Sequence, residues 1–523
     1  MGRVHAAGVP ALIPRLAALV LACTAGALQA QSLPRPVALA LARAQVPASA
    51  VSVRVVELGS GRERLSHRAQ VPMNPASVTK LLTTSAALEL LGPQHTWTTT
   101  VLADGQWEGP TLQGRLIVRG GGDPKLVVER LQALVAQVHA SGIRSVRGDI
   151  VLDRSLFRPP AVNPADFDGE PFKPYNVQPD ALLVNFHSLV MRFTPDAAEQ
   201  RARVTVEPPL AGMQVDATVP LAPQAPCLDW RTGLLASIDQ PLRLQFKGSY
   251  PLACGERAWP TAYPEPARFA ERAIEAAWRA QGGELSGRVR EATAEESAAL
   301  RARGSLSGSK PRLTLELASL PLAEVVVDIN KFSNNVMAQQ LFYTLGLRST
   351  AADAPPGTLE AGRAVLLDWW RQAVPDAPPP VLGNGSGLNR EERVTAQGLS
   401  DLLRRMAAGP HAPHLQASLP VAGVDATMRQ RATRVAGRAW LKTGSLRDVS
   451  AIAGYAQGPA GQRFVVVGLI NHANASAGRA ALDALVQWAA QGAETGKGRA
   501  QYVAEGPASS GDRDTASPGA LLP

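Results

Sequence analysis

The chain has 523 residues, 45% hydrophobic and 19% charged, which excludes a disordered polymer and leaves room for two to four folded units at roughly 100–200 residues each. Gly 46 and Pro 42 together make about 17% of it, above the usual ~12%, so turns and loops are frequent. The formal charge of +9 is carried by scattered single residues with no basic patch, which argues against nucleic acid and suits an anionic polymer bearing carboxylates.

The chain opens with Arg3 and Arg15, an apolar run over 16–23 and small residues to Ala30. That layout reads as a secretory signal peptide over 1–30, cleaved after Ala27 or Ala30. Val20-Leu-Ala-Cys23 is an incomplete lipoprotein box with a bulky Leu21, so Cys23 reads as an ordinary member of the apolar run. No later stretch reaches the ~18–20 apolar residues of a membrane span. The expectation is an exported, periplasmic protein with no stable membrane span. Signal removal leaves Cys227 and Cys254, an even pair in an oxidising compartment, and a disulfide between them is expected. No CxxC or His/Cys spacing suggests a metal, and no cofactor is expected.

Residues 51–58 are rich in β-branched side chains and run into Gly59-Ser-Gly61, a strand followed by a turn. A helix starts at Pro75, carries Leu81, Leu88 and Leu91 at helical spacing, and stops at Gly92-Pro93. From 98 to 310 the texture changes to short β-type runs such as 115–119 and 149–152, interrupted by one helix over 267–281. Helices are expected again at 331–346 and 359–373, strands at 437–456 and 463–470, and a last amphipathic helix at 475–490. The tail at 493–523 has the Gly/Ser/Pro/Asp composition of disorder. The pattern predicts an α+β domain split in sequence, with parts at 34–97 and 311–492 and inserted β-rich domains at 98–310.

Three short motifs occur in order: Ser77-Val-Thr-Lys80, Ser333-Asn-Asn335 and Lys442-Thr-Gly444. Each is weak alone, and a second Ser-x-x-Lys, Ser307-Gly-Ser-Lys310, shows how easily the first arises. Context separates the two copies. Ser77 opens a helix, so Lys80 stands at i+3 on the same face within hydrogen-bond reach. The second copy sits in a Gly/Ser loop and runs into Pro311. Lys-Thr-Gly is rarer in a chain with eight lysines, and it lies in a β-hairpin pattern.

Together these residues meet the needs of a hydroxyl that attacks a carbonyl without a histidine. A lysine serves as base only when burial and a neighbouring cation pull its pKa toward neutrality. Lys80 is the expected base for Ser77 and Lys442 the cation, with Ser333 passing a proton to the departing amine. Asn335 would orient Lys80 and bond the substrate amide. Lys442 and Thr443 would hold a substrate carboxylate, and the backbone N–H groups of Ser77 and Ser445 would meet the oxyanion. Taken singly, Ser77 reads equally as a helix cap, Ser333 as a helix start and Lys442 as a solvated strand lysine. No Gly-x-Ser-x-Gly elbow supports a Ser-His-Asp triad, and His187 and His472 show no ligand pattern. The run from Gly383 to Leu388 lacks the Lys-Ser/Thr ending of a phosphate loop and reads as a glycine-rich turn near the site.

At these residues the sequence resembles the penicillin-binding protein 4 family, the D-alanyl-D-alanine carboxypeptidase/endopeptidases of peptidase family S13. The resemblance includes Pro75-Ala-Ser-Val-Thr-Lys80, Gly122-Asp-Pro124, Gly148-Asp-Ile150, Asn185, Gly248-Ser-Tyr-Pro251 with Cys254, Gly385-Ser-Gly-Leu388, Gly423-Val-Asp425 with Thr427, and Lys442-Thr-Gly-Ser445. It spans about 34–490. The long gap between Ser77 and Ser333 is also similar to that family, whose penicillin-binding/β-lactamase-like transpeptidase domain, an antiparallel sheet with flanking helices, is split by a two-domain insertion. Asn384 stands where the family usually has Asp, and Ala426 where it usually has Gly. The resemblance implies cleavage of D-Ala-D-Ala ends and of D-Ala-to-diamino-acid crosslinks in peptidoglycan stem peptides through an acyl-Ser77, with beta-lactams acylating the same serine. The rival enzyme is a serine beta-lactamase, but no Glu-x-x-Leu-Asn segment follows Ser333 to activate a deacylating water. A non-catalytic cell-wall-binding protein would require loss of motif residues, and all are present.

Overall fold

The computed structural model describes Gly2 and residues 32–491 apart from Ser309. The expected signal segment over 1–30, with its cleavage sites, and the tail at 493–523 lie outside the described residues.

Val449–Gln457 and Arg463–Asn471 are almost continuously apolar because both their faces are covered. Ala451, Ala453, Tyr455, Val465, Val467 and Leu469 enter one core, while Ile452, Ala456, Val466 and Ile470 enter another, the period-two alternation of a strand with no solvated side. The two pair antiparallel. Ala439–Leu446 adds on one edge, and Val51–Glu57 then Glu63–His67 on the other, to complete a five-stranded antiparallel sheet. The helices Arg35–Arg43 and Arg479–Ala490 lie over one face. Lys80–Leu90, Leu322–Lys331, Asn335–Gly346, Leu359–Ala373 and Ala396–Ala408 build the core over the other. Asn335–Gly346 is buried at every position, so its sequence has no polar stripe to mark it as amphipathic.

The excursion that follows this first part makes three further sheets, the smallest of three short strands, Gln214–Val215, Ala236–Ser237 and Arg243–Phe246. In the first, Thr98–Glu108 and Thr111–Arg119 pair antiparallel, and Ser145–Arg147 and Ile150–Asp153 join in parallel. Leu313–Ala318 closes the far edge against Thr98–Glu108. That strand lies beyond residue 310, where the sequence pattern placed the end of the insertion, so the sheet is completed only at Ala318. Two helices, Val128–Ala140 and Pro266–Ala280, cover one face. The sequence reading finds the second and not the first, although Leu131, Leu134, Val135 and Val138 are buried at helical spacing. It also misses Ala294–Arg303, which Thr293 and Glu296 start with a reciprocal capping box.

The outer unit has a five-stranded sheet from Ser188–Asp196, Arg201–Glu207, Thr218–Ala222, Tyr250–Pro251 and Arg257–Ala262. Its small core is aromatic, with Phe246 and Tyr250 at 5.3 and 5.4 Å from Phe193. The disulfide joins Cys227 to Cys254 beside it, with the Cα atoms 4.9 Å apart. Among the described residues no helix is long and apolar enough to cross a membrane.

Candidate active site

The turn that carries Ser77 is fixed by one asparagine. Asn74 Oδ1 accepts from the Ala76 N–H at 2.8 Å, while its Nδ2 donates to the carbonyls of Asn389 and Arg390. Asn471, at the end of a central strand, bonds both the N–H and the carbonyl of Asn74. Ala76 takes φ +45° and turns the chain into a 3-10 segment, Ala76–Thr79, before the helix Lys80–Leu90 begins. The sequence pattern predicts one helix from Pro75, and the observed first turn is tighter. Three residues per turn place Ser77 and Lys80 in line, and Lys80 Nζ donates to Ser77 Oγ at 3.0 Å.

Lys80 is fully buried and has three oxygen acceptors. Besides Ser77, Nζ donates to Asn335 Oδ1 at 2.7 Å and to the Ser386 carbonyl at 2.5 Å. Burial, and then the neighbouring Lys442, pull its pKa well below the ordinary lysine value, against the opposing attraction of Glu392. Lys442 is equally buried, and burial lowers its pKa to about 7. Its Nζ donates to Ser333 Oγ at 2.9 Å and to the Thr443 carbonyl at 2.7 Å.

The Ser-Asn-Asn motif sits in a break, not within the continuous helix expected over 331–346. Leu322–Lys331 ends, Ser333 adopts φ +57°, and Asn335–Gly346 begins. Each residue has a separate task. Ser333 turns toward Lys442, Asn334 caps the next helix by accepting from the Met337 N–H at 3.1 Å, and Asn335 reaches Lys80. The amide of Asn335 is oriented from its other end by the Tyr175 carbonyl of the insertion, which accepts from Nδ2 at 3.3 Å.

The strand Ala439–Leu446 brings Lys442, Thr443 and Ser445 alongside. Its approach needs Gly444, where a Cβ would lie 2.5 Å from the Pro75 carbonyl oxygen and 3.0 Å from the Ser77 nitrogen. Thr443 Oγ1 bonds Thr427 Oγ1 at 3.0 Å. The result is an open cavity of about 500 Å³ whose lining includes Ser77, Ser333, Asn335, Ser445, Tyr175 and Arg390. Thus Ser77, Lys80, Ser333, Asn335, Lys442, Thr443 and Ser445 converge, while the disulfide pair lies in the outer unit. The competing Ser-x-x-Lys does not converge: Ser307 Oγ is bonded to Asp104 Oδ1 at 2.5 Å and Lys310 is exposed.

Sequence reasoning missed Glu392. Its buried carboxylate accepts from Thr79 Oγ1 at 2.6 Å and from the N–H groups of Gly383 and Asn384, tying the nucleophile turn to the loop that offers the Ser386 carbonyl. Burial raises its pKa. An isolated glutamate carries no pattern to reveal this; only the glycines from 383 to 387 mark the loop. Asn384 performs the acceptor role open to an Asp, its Oδ1 receiving the Ser386 N–H and Oγ at 3.1 and 2.8 Å, and its Nδ2 adds a bond to the Leu388 carbonyl. Ala426 holds φ +48°, the left-handed backbone a glycine would adopt freely. Its neighbour Asp425 is ion-paired with Lys331.

This geometry can deprotonate a serine hydroxyl through a neutral amine and keep a second amine on a second hydroxyl, with no imidazole taking part. Comparison with known proteins points the same way. The D-alanyl-D-alanine carboxypeptidase of Actinomadura sp. (strain R39) is 33% identical over 436 residues, covering 78% of this chain and 76% of that protein. Carboxypeptidase DacB of Mycolicibacterium smegmatis is 28% identical over 473 residues, covering 86% and 82%. In fold, the chain is similar to penicillin binding protein 4 of Haemophilus influenzae, with a TM-score of 0.66 at 21% identity, covering 86% of this chain and 97% of that one. The family described as D-Ala-D-Ala carboxypeptidase 3 (S13) matches residues 34–492. A match over nearly the whole described chain, on a penicillin-binding fold, means that this protein belongs to the S13 D-Ala-D-Ala carboxypeptidase family.

Proposed function

We propose that this chain is a serine DD-peptidase that hydrolyses D-Ala-D-Ala ends, and D-Ala-diamino-acid crosslinks, of peptidoglycan stem peptides. Ser77 Oγ attacks the carbonyl carbon of the penultimate D-Ala while Lys80 Nζ takes its proton. The N–H groups of Ser77 and Ser445 receive the oxyanion, a contribution typically worth ~3–4 kcal/mol for one donor. The proton then passes through Ser333, held by Lys442, to the departing amine. Water completes the cycle by hydrolysing the acyl-Ser77 ester. Asn335 bonds the substrate amide, and Thr443 with Lys442 receives the carboxylate beside the cleaved bond.

The observation that carries this reading is the paired arrangement in which Lys80 bonds both Ser77 and Asn335 while Lys442 bonds Ser333. A beta-lactam presents a strained cyclic amide where the peptide presents an unstrained one, and the Haemophilus influenzae protein has been crystallised in complex with a beta-lactam, which supports acylation of Ser77 by penicillin here. The signal-like segment at 1–30 supports a periplasmic location, where the substrate lies.

Intact mass before and after penicillin, followed by digestion of a purified crosslinked muropeptide, tests the reading. A lasting single adduct mapped to Ser77, lost in Ser77→Ala together with peptide cleavage, is the expected result. Rapid return to the unmodified mass would instead identify a beta-lactamase.

A further inference from the structure

The peptidase reading meets the charge of the departing residue with one shared cation, Lys442. The residue that departs carries a carboxylate, whether it is a terminal D-Ala or a diamino acid in a crosslink, and the groups set to receive it are mostly hydroxyls. Thr443 and Ser445 share one face of their strand by its period-two alternation, and Thr427 joins the row through its bond to Thr443. Lys442 lies on the alternate face and divides its charge among the substrate carboxylate, Ser333 Oγ and the Thr443 carbonyl.

A permanent cation stands at the end of this row. Arg479, the first residue of the helix Arg479–Ala490, donates from a guanidinium nitrogen to Ser445 Oγ at 3.3 Å. It is exposed, and among the described residues no carboxylate is ion-paired with it. Its position is electrostatically poor for a structural arginine, in a first helical turn that holds no acidic residue and meets the positive end of the helix dipole. The two arginines that line the cavity differ. Arg390 is paired with Asp448 at 3.7 Å and lies 4.9 Å over the Phe167 ring, and Arg447 lines the cavity without a bond to the hydroxyl row.

We infer that Arg479 binds the free carboxylate of the leaving residue, beside the hydroxyls of Ser445 and Thr443, and so selects wall peptides whose leaving residue is an acid over those in which it is amidated. The guanidinium fork suits a carboxylate, and two parallel N–H donors add geometric specificity to charge. This assignment rests on the peptidase reading above and names the chemical form of its substrate.

The test compares kcat/KM on a peptide ending in D-Ala-D-Ala with that on the same peptide ending in an amide, for the wild-type full chain and for Arg479→Gln, Arg479→Lys and Arg447→Gln. The wild-type chain is expected to prefer the acid. Arg479→Gln should shrink the acid-to-amide ratio roughly tenfold, the size of one charge-assisted hydrogen bond, while Arg479→Lys retains most of it. An unchanged ratio in Arg479→Gln, equal losses on acid and amide, or a ratio that responds to Arg447→Gln instead, overturns the assignment alone. A wild-type chain that cleaves neither peptide overturns the peptidase reading and this assignment with it.

Discussion

Two buried lysines dominate the chemistry of the site, and each carries a cost to stability. The folded pKa of Lys442, about 7, is depressed below the ~10.4 of a solvated lysine. The folded state therefore binds fewer protons than the unfolded one between those values, and stability rises with pH across that interval. Below about pH 7 the full penalty of burying the amine applies. Lys442→Met should accordingly be more stable than the wild type at pH 6, by roughly 1–2 kcal/mol, with the gap narrowing by pH 9, and urea unfolding at both pH values measures it. The same variant should lose acylation. For the wild type, loss of the Lys442 proton predicts that kcat/KM declines on the alkaline side with an apparent pKa near 7, a value belonging to the coupled pair with Lys80. A flat profile from pH 6 to 9 would remove Lys442 from the cationic role. The residue types and spacings of the three motifs made these side chains legible in the sequence. The Ser386 and Tyr175 carbonyls that complete the lysine and amide networks were not, because a backbone oxygen has no residue type to read.

Between elements, the helix Asn335–Gly346 is the coupling piece. Gln340, fully buried within it, accepts from the Asp180 N–H at 2.8 Å and donates to the Asp180 carbonyl at 2.8 Å and to Gly122 at 3.3 Å. One side chain thus clamps the insertion to the helix that carries Asn335. Gln340→Leu leaves three backbone groups without partners and is expected to cost about 2 kcal/mol or more. It should also slow acylation by loosening the Tyr175 bond to Asn335; thermal melts together with the rate of penicillin labelling check both effects. The loop holding Thr427 offers the opposite experiment. Ala426 in a left-handed conformation stores about 1 kcal/mol, so Ala426→Gly should raise the urea midpoint slightly. Helix Lys80–Leu90 and the closing strands were legible from period and punctuation. The break at Ser333 was not, since Phe332-Ser-Asn contains neither glycine nor proline to mark its left-handed turn.

At the scale of the whole molecule, the split of one helix-and-sheet body by a long β-rich excursion was readable from the change in texture after residue 97. Its return point at Ala318 was not, because Leu313–Ala318 pairs with a strand made two hundred residues earlier, and pairing partners are invisible in local pattern. The disulfide sits in the outer unit, whose aromatic core is separate from the one beneath Ser77. Replacing Cys227 and Cys254 by serine should therefore destabilise that unit by about 3 kcal/mol and speed proteolysis within it, while the rate of acylation at Ser77 stays constant; a parallel fall in labelling would show that the unit reaches the site.

The order of strands in the first sheet also makes the site depend on segments far apart in sequence. Val51–Glu57 and its inner partner Arg463–Asn471 are separated by roughly four hundred residues of chain. Until the two pair, the hairpin at 51–67 keeps an open hydrogen-bonding edge, the kind of surface that recruits holding chaperones or other unfinished chains. Ser77 meanwhile has its lysine nearby but lacks Asn335, Ser333 and the hairpin that bears Lys442. A chain whose strands at 439–471 have not docked is therefore expected to be a poor target for penicillin.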